Sequence, residues 1–423
     1  MNAEPSLRGR APATEAPAKL ALQQSCGRTP AARFAGGAAP GLLALLALSG
    51  CRQHDFPQYA PNYREYAYVT NGESGTVTVL DVVNVRIDRE IAVGPNPDAV
   101  AASPSRNEVY VVNSGPAGGQ GSVTVINAQN NSVVATIPVH REPVSIDLDA
   151  DGDRAYVANS GSNTISVLDL KSRREVAVIG TGEEPAAARI SADGKSLVVA
   201  NRHGNSVTII DPMARRVRAV FEGCPGAADA VILPDSSKAF VACAGGHQVM
   251  AIALGHSGAA PLPDRLETLM DVGRGPVNLA LKPDGGEVFV CNSLSDSVSE
   301  VSTPTNDVGG ATLMGADPTH GLVSRDNSLL YVSNFRSQEV AVYAIDDGRR
   351  SGSIHVGDGP SAMAFSALGN LLFVVDARSG DVAVVRTSTS ALRTAISSPS
   401  GLFTLLSAGR GPNAIAVKAF LTQ

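Results

Sequence analysis

The chain has 423 residues, 43% of them hydrophobic and 17% charged, which is enough to build a large folded core. It has no Trp and only 4% aromatic residues, so Val and Ile must supply most of that core. The formal net charge of −6 argues against a phosphate backbone as main partner, and no nucleic-acid partner is expected.

Residues 1–40 are rich in Ala, Pro, Gly and Arg and show no apolar periodicity, which is the composition of a disordered leader. Residues 41–50 (GLLALLALSG) form an apolar run too short for a bilayer but suited to the core of a signal peptide. The run ends in Leu48-Ser49-Gly50-Cys51, which resembles the lipobox of bacterial lipoproteins, with Arg28 and Arg33 as its positive flank. The leader ahead of it is longer than such signals have. Residues 1–51 are thus expected to be leader plus signal, with Cys51 lipidated, 52–65 a tether and 66–420 the folded domain. That places the protein outside the cytoplasm, in the periplasm or at the cell surface, held to a membrane by its lipid.

From residue 66 one short pattern recurs. An apolar segment ends at Asn71, Asn113, Asn159, Asn201, Cys243, Asn292, Asn334 and Asp376, at intervals of 42, 46, 42, 42, 49, 42 and 42 residues. In the first unit, strands are expected over residues 66–70, 76–82, 89–93 and 98–102. Asn71 and Gly72 start a turn that tolerates positive φ. A period of about 40–50 residues with four short strands predicts an all-β fold, a β-propeller of four-stranded antiparallel blades. Eight inner segments, marked by Pro97, Pro143, Pro185, Pro225, Pro276, Pro318, Pro360 and Pro412, match the eight segments that end in Asn, Cys or Asp. The last inner segment, 413–417, has no partner after it, and residues 66–70 have none before. Their pairing closes an eight-bladed ring without free edges.

Tyr68-Val69-Thr70-Asn71 and Tyr156-Val157-Ala158-Asn159, each followed by a Gly/Ser turn and an alternating strand, resemble the YVTN β-propeller repeat family. The resemblance spans roughly residues 66–418. It implies the fold and an extracytoplasmic or surface location, and says little about activity, since its relatives include lactonases and haem-binding propellers. Seven blades are commoner in that family and are the alternative to eight.

Small residues dominate the inner strands, among them Ala99, Ala101, Ala187, Ala362, Ala364, Ala414 and Ala416. Ser145, Asp147, Arg189, Asp229, Asn278 and His320 interrupt them and are the candidate ligand-binding residues. They are expected to converge on one mouth of the channel, with Asp147 and Arg189 paired. The competing expectation is a set of hydrogen bonds tying blades together. His203 and His247, in turns after the second strands, complete the candidate list. Three imidazoles on one face suit a metal ion or haem, whereas solvated turn histidines need neither. No metal set and no resident cofactor is expected. Cys224 precedes an inner strand and Cys243 ends its neighbour, so an oxidising compartment favours a disulfide between them. Cys291 is expected in the core. Together these features predict a lipid-anchored module that binds a small polar ligand or a protein partner. The alternative is an enzyme or cofactor-handling protein, either a lactonase-like hydrolase or one similar to the haem-carrying propeller of periplasmic nitrite reductase and its assembly proteins. Catalysis is left open.

Overall fold

In the computed structural model, which describes residues 59–255, 262–387 and 401–422, period-two segments become strands of eight antiparallel four-stranded sheets. The second strand of a sheet is apolar on both faces, as in Glu108–Asn113, because neighbouring sheets cover both sides. The outermost strands alternate instead. Arg174–Gly180 shows one side to solvent and one to the core. The seven-blade alternative is therefore excluded.

Blades are numbered here in chain order. Blade 1 takes its inner strand from the C-terminal Pro412–Leu421 and its other strands from Tyr63–Asn71, Thr76–Asp81 and Arg86–Ala92. Blades 2 to 8 are continuous. Their inner strands are Pro97–Ala102, Pro143–Leu148, Pro185–Ile190, Ala227–Ile232, Pro276–Leu281, Pro318–Val323 and Pro360–Phe365. The inner strands touch in a closed circle. The sequence repeat is offset from the blade by one strand, and closure follows from that offset. Ala67 pairs with Val417 and Thr70 with Ala414.

Three boundaries differ from expectation. The first strand starts at Tyr63, inside the predicted tether 52–65, because Glu65 accepts hydrogen bonds from the Tyr63 hydroxyl (2.6 Å) and the Ala367 amide (2.5 Å) and so docks this segment on blade 8. The last strand runs one residue past the predicted domain end. In blade 5 the place of the marker proline is taken by Ala227, and Pro225 lies in the loop before it. Cys51 and the leader lie outside the described residues.

Candidate functional site

Each inner strand descends from one face of the ring, called the top here, and the second strand returns to it. The turns after the second strands and the loops before the inner strands therefore share the top face. A repeated clasp holds these loops. In blade 2, Asn113 ends the second strand and is fully buried. Its Nδ2 donates to Ser122 Oγ (3.1 Å) and Thr124 Oγ1 (2.9 Å) on the third strand. Its other side packs on Gly94 in the loop before the inner strand, where a Cβ would lie 2.8 Å from Asn113 Cγ. Asn71, Asn159, Asn201 and Asn292 make the same bonds to Ser or Thr five and seven residues on. The recurring Asn is thus a fastener of the top loops. The signal was present in the sequence as paired hydroxyl residues at fixed offsets.

Blade 5 replaces this clasp. Cys224 and Cys243 stand where blade 2 has Gly94 and Asn113, with the same separation of 19, and form a disulfide with Cα atoms 4.8 Å apart. The hydroxyl positions hold Gln248 and Met250. Cys291 is buried in the core of blades 6 and 7, and burial pushes its thiol up to about 12.

The six inner-ring candidates lie on successive inner strands of blades 3 to 7, and a register rule connects them. A polar side chain at the third position of one inner strand bonds the main-chain N–H of the fourth residue in the next blade. The Asp229 carboxylate accepts from Leu279 N (3.2 Å), Asn278 Oδ1 from Gly321 N (2.9 Å), and Ser145 Oγ from Ala188 N (3.4 Å). Side chains add to the chain. Arg189 Nη2 donates to Asp229 Oδ1 at 3.0 Å, and Asn278 Nδ2 to Asp229 Oδ2 at 2.9 Å. The expected Asp147–Arg189 pair does not form. Asp147 spends its oxygens on the amides of Ile190 (2.9 Å) and Leu148 (3.0 Å), while Arg189 reaches forward into blade 5. Burial raises the Asp147 carboxyl above the usual range, opposed by the nearby Arg189 charge and by these amide donors. The residues form an arc of inter-blade bonds along the channel wall. They do not form a cup around one point.

His320 departs from this rule. It occupies the third position in blade 7, yet among the described residues its ring makes no hydrogen bond, and its nitrogens are not enclosed. Dense surroundings lower its pKa, Asp229 opposes that shift and Arg189 adds to it, so the neutral imidazole is the favoured form. On the next three inner strands around the ring, in blades 8, 1 and 2, the equivalent positions are Ala362, Ala414 and Ala99. Arg189 keeps 38% of its side chain exposed beside this arc, against 10% for Asp229.

The other two histidines are on the top rim. The exposed His203 pairs through Nδ1 with the half-buried carboxylate of Glu184, beside an open hollow of about 430 Å³ that Glu142 and Glu183 also line. His247 Nδ1 receives the Gly275 amide at 3.2 Å, so it fastens the next loop. The structure does not bring the three imidazoles together, since two sit in rim turns and one on the channel wall. Among the described residues no three His, Cys, Asp or Glu side chains are grouped to hold a metal.

A family model described as YNCE-like beta-propeller matches residues 152–402. Over 98 residues the chain is 36% identical to the YncE protein of Salmonella typhi; the match spans 23% of this chain and about a quarter of that relative. Among solved structures, AztD from Citrobacter koseri aligns with a TM-score of 0.62 at 12% identity, over 85% of this chain and 99% of that one. The dihydro-haem d1 dehydrogenase NirN, in complex with DHE, gives 0.63 at 14%, over 83% and 74%. The periplasmic gluconolactonase PpgL of Pseudomonas aeruginosa gives 0.56 at 16%, over 84% and 99%. At these identities the likeness is one of fold.

Proposed function

The chain belongs to the YNCE-like β-propeller family, and from that premise we propose that it is a lipid-anchored extracytoplasmic binding protein for a small polar or zwitterionic ligand. The observation that carries this reading is the unspent imidazole of His320 on the channel wall, within electrostatic reach of Asp229 and Arg189 and at the start of an Ala-lined arc. A neutral imidazole both donates and accepts, and the exposed part of Arg189 offers further donors to an anionic group. The buried Cys224–Cys243 disulfide supports an oxidising compartment, and the Leu48-Ser49-Gly50-Cys51 run supports attachment through Cys51.

The test has two parts. Labelled palmitate is incorporated at Cys51, and Cys51→Ala releases the protein from membranes. The chain purified from native membranes carries a small polar molecule, identified by mass spectrometry of the released ligand, and His320→Ala loses it. Unchanged membrane retention defeats the anchor, and equal ligand content in His320→Ala defeats the site.

A second reading, handling of a haem-like cofactor, is favoured by the same imidazole, because a neutral ring with free nitrogens is the form that ligates iron. His320 would be the residue that holds the iron. Such a group, when bound, supplies redox chemistry, and a visible absorbance band that disappears in His320→Ala separates this reading from the first.

A further inference from the structure

Blade 8 departs from the clasp in a way that nothing above explains. The position of the fastening Asn is Asp376, and the hydroxyl five residues on is replaced by Asp381. Asp376 is fully buried. Its Oδ2 accepts the Gly357 amide at 3.0 Å, which ties the top loop before Pro360–Phe365 to the blade. A Cβ on Gly357 would lie 2.6 Å from both Asp376 Oδ2 and Asp381 Oδ1, so the two carboxyls flank one point. Asp376 Oδ1 and Asp381 Oδ1 are buried and have no donor. Every acceptor-only arrangement leaves both oxygens unsatisfied, and two adjacent ionised carboxylates repel at this depth. One proton between them satisfies both.

We propose that Asp376 and Asp381 share a proton and act as a pH-sensitive latch on the top-face loop that leads into the inner strand of blade 8.

Among the described residues no cation forms an ion pair with either carboxyl. On the surrounding turns Asp358 and Arg378 are joined to each other at 3.8 Å, and Arg410 lies on the adjoining loop, where its amide donates to Ser74 Oγ. Ser379 Oγ accepts from the Asp358 amide at 2.9 Å and donates to the Asp358 carbonyl at 3.5 Å. On the outer strand the residue opposite Asp381 is Ser407, which brings no charge. Burial and the neighbouring Asp381 together push the Asp376 carboxyl up to about 8. A carboxyl raised in the folded state and ordinary in the unfolded one favours folding at low pH, and this contribution is lost as pH rises through about 8. The latch is closed in acid and neutral solution and releases in mild alkali.

Asp376→Asn supplies permanent amide donors at the same place, the residue that most other blades use. Three readouts on the whole chain test the latch. A protonated-carboxyl infrared band is expected at neutral pH in the native chain and not in Asp376→Asn. The unfolding equilibrium of the native chain, relative to the variant, rises about tenfold per pH unit between roughly pH 5 and pH 8. With the intrinsic base-catalysed rate divided out, the protection of the Gly357 and Asp358 amides falls above that range in the native chain only. Should Asp376→Asn fail to fold, Asp381→Ser carries the same expectations, since it restores the hydroxyl donor. Parallel pH profiles with no infrared difference overturn the proposal. So does stabilisation by millimolar calcium in the native chain but not in the variant, which assigns the two orphan oxygens to a cation instead of a proton.

Discussion

Removing the disulfide of blade 5 tests whether the clasp is a module with fixed parts. Cys224 and Cys243 are fully buried and close a loop with a sequence separation of 19. By the loop-entropy relation, a closed loop of that length is worth about 3 kcal/mol at 25 °C. Cys224→Ala/Cys243→Ala is therefore expected to lose about 3 kcal/mol. The informative variant is Cys224→Gly/Cys243→Asn, which restores the residues that blade 2 has at these places. It should recover nothing, because Gln248 and Met250 occupy the positions from which Ser122 and Thr124 receive the Asn113 amide. A buried amide without acceptors costs about 1–3 kcal/mol in its own right. The assay is guanidinium unfolding followed by circular dichroism and tyrosine fluorescence, since the chain has no Trp, with and without reductant. If the Gly/Asn variant equals the oxidised native chain, the module argument is wrong and the backbone alone sets the loop.

Further outcomes follow from contacts already described. Gly94→Ala places a Cβ 2.8 Å from Asn113 Cγ and should cost about 1–3 kcal/mol in the same assay, whereas Gly180→Ala enters open space and should change stability by about 0.5 kcal/mol or less. Asp229→Ala removes one partner each from Arg189, Asn278 and the Leu279 amide and should cost about 2–3 kcal/mol. His320→Ala, which breaks no ring hydrogen bond, should cost less than Asp229→Ala and act on ligand content instead, so equal losses of stability in the two refute the division between stitching and binding residues. Deleting residues 412–423 removes the inner strand of blade 1, exposes the edge of Tyr63–Asn71 and should convert a monodisperse protein into aggregates on size-exclusion chromatography.

The architecture was readable because a 42-residue interval needs only counting, and the unpaired ends at Tyr66–Thr70 and 413–417 force closure. The inner ring was readable as a list but not as a wiring diagram. Ser145, Asp229, Asn278 and His320 share a position and were rightly grouped, yet matching positions in neighbouring blades do not face each other. The stagger of adjacent inner strands sets a side chain against the main chain one residue further along in the next blade, so Asp147 takes the Ile190 amide and not the side chain of its counterpart Arg189, which reaches Asp229 instead. Pro225 misled as a blade marker because the loop carrying Cys224 is built around the disulfide, which moves the proline ahead of Ala227. The Asn clasp was missed because its evidence is spread over three places: the Asn, hydroxyls at two later offsets and a glycine 19 residues earlier.

Eight copies of one structural problem also show where the chain is free to vary. Blades 1, 2, 3, 4 and 6 tie the end of the second strand to the third through an Asn amide and two hydroxyls, and in all but blade 3 the same Asn packs on a glycine of the top loop. Blade 5 uses a disulfide, blade 7 directs Asn334 Nδ2 to the Met314 carbonyl at 3.1 Å, and blade 8 uses the carboxyl pair. The last two exceptions flank the inner strand that carries His320. That strand touches the inner strand of blade 8, with Thr319 Oγ1 and Ser333 Oγ reaching the carbonyls of Pro360 and Ser361 at 3.4 and 2.7 Å. The loop held by Asp376 leads directly into Pro360. Loosening that loop therefore acts on the wall beside the free imidazole through these two hydrogen bonds and the packing between blades 7 and 8. The plain clasp would have held this wall at any pH, so placing the one titrating fastener here makes the geometry around His320 answer to protons.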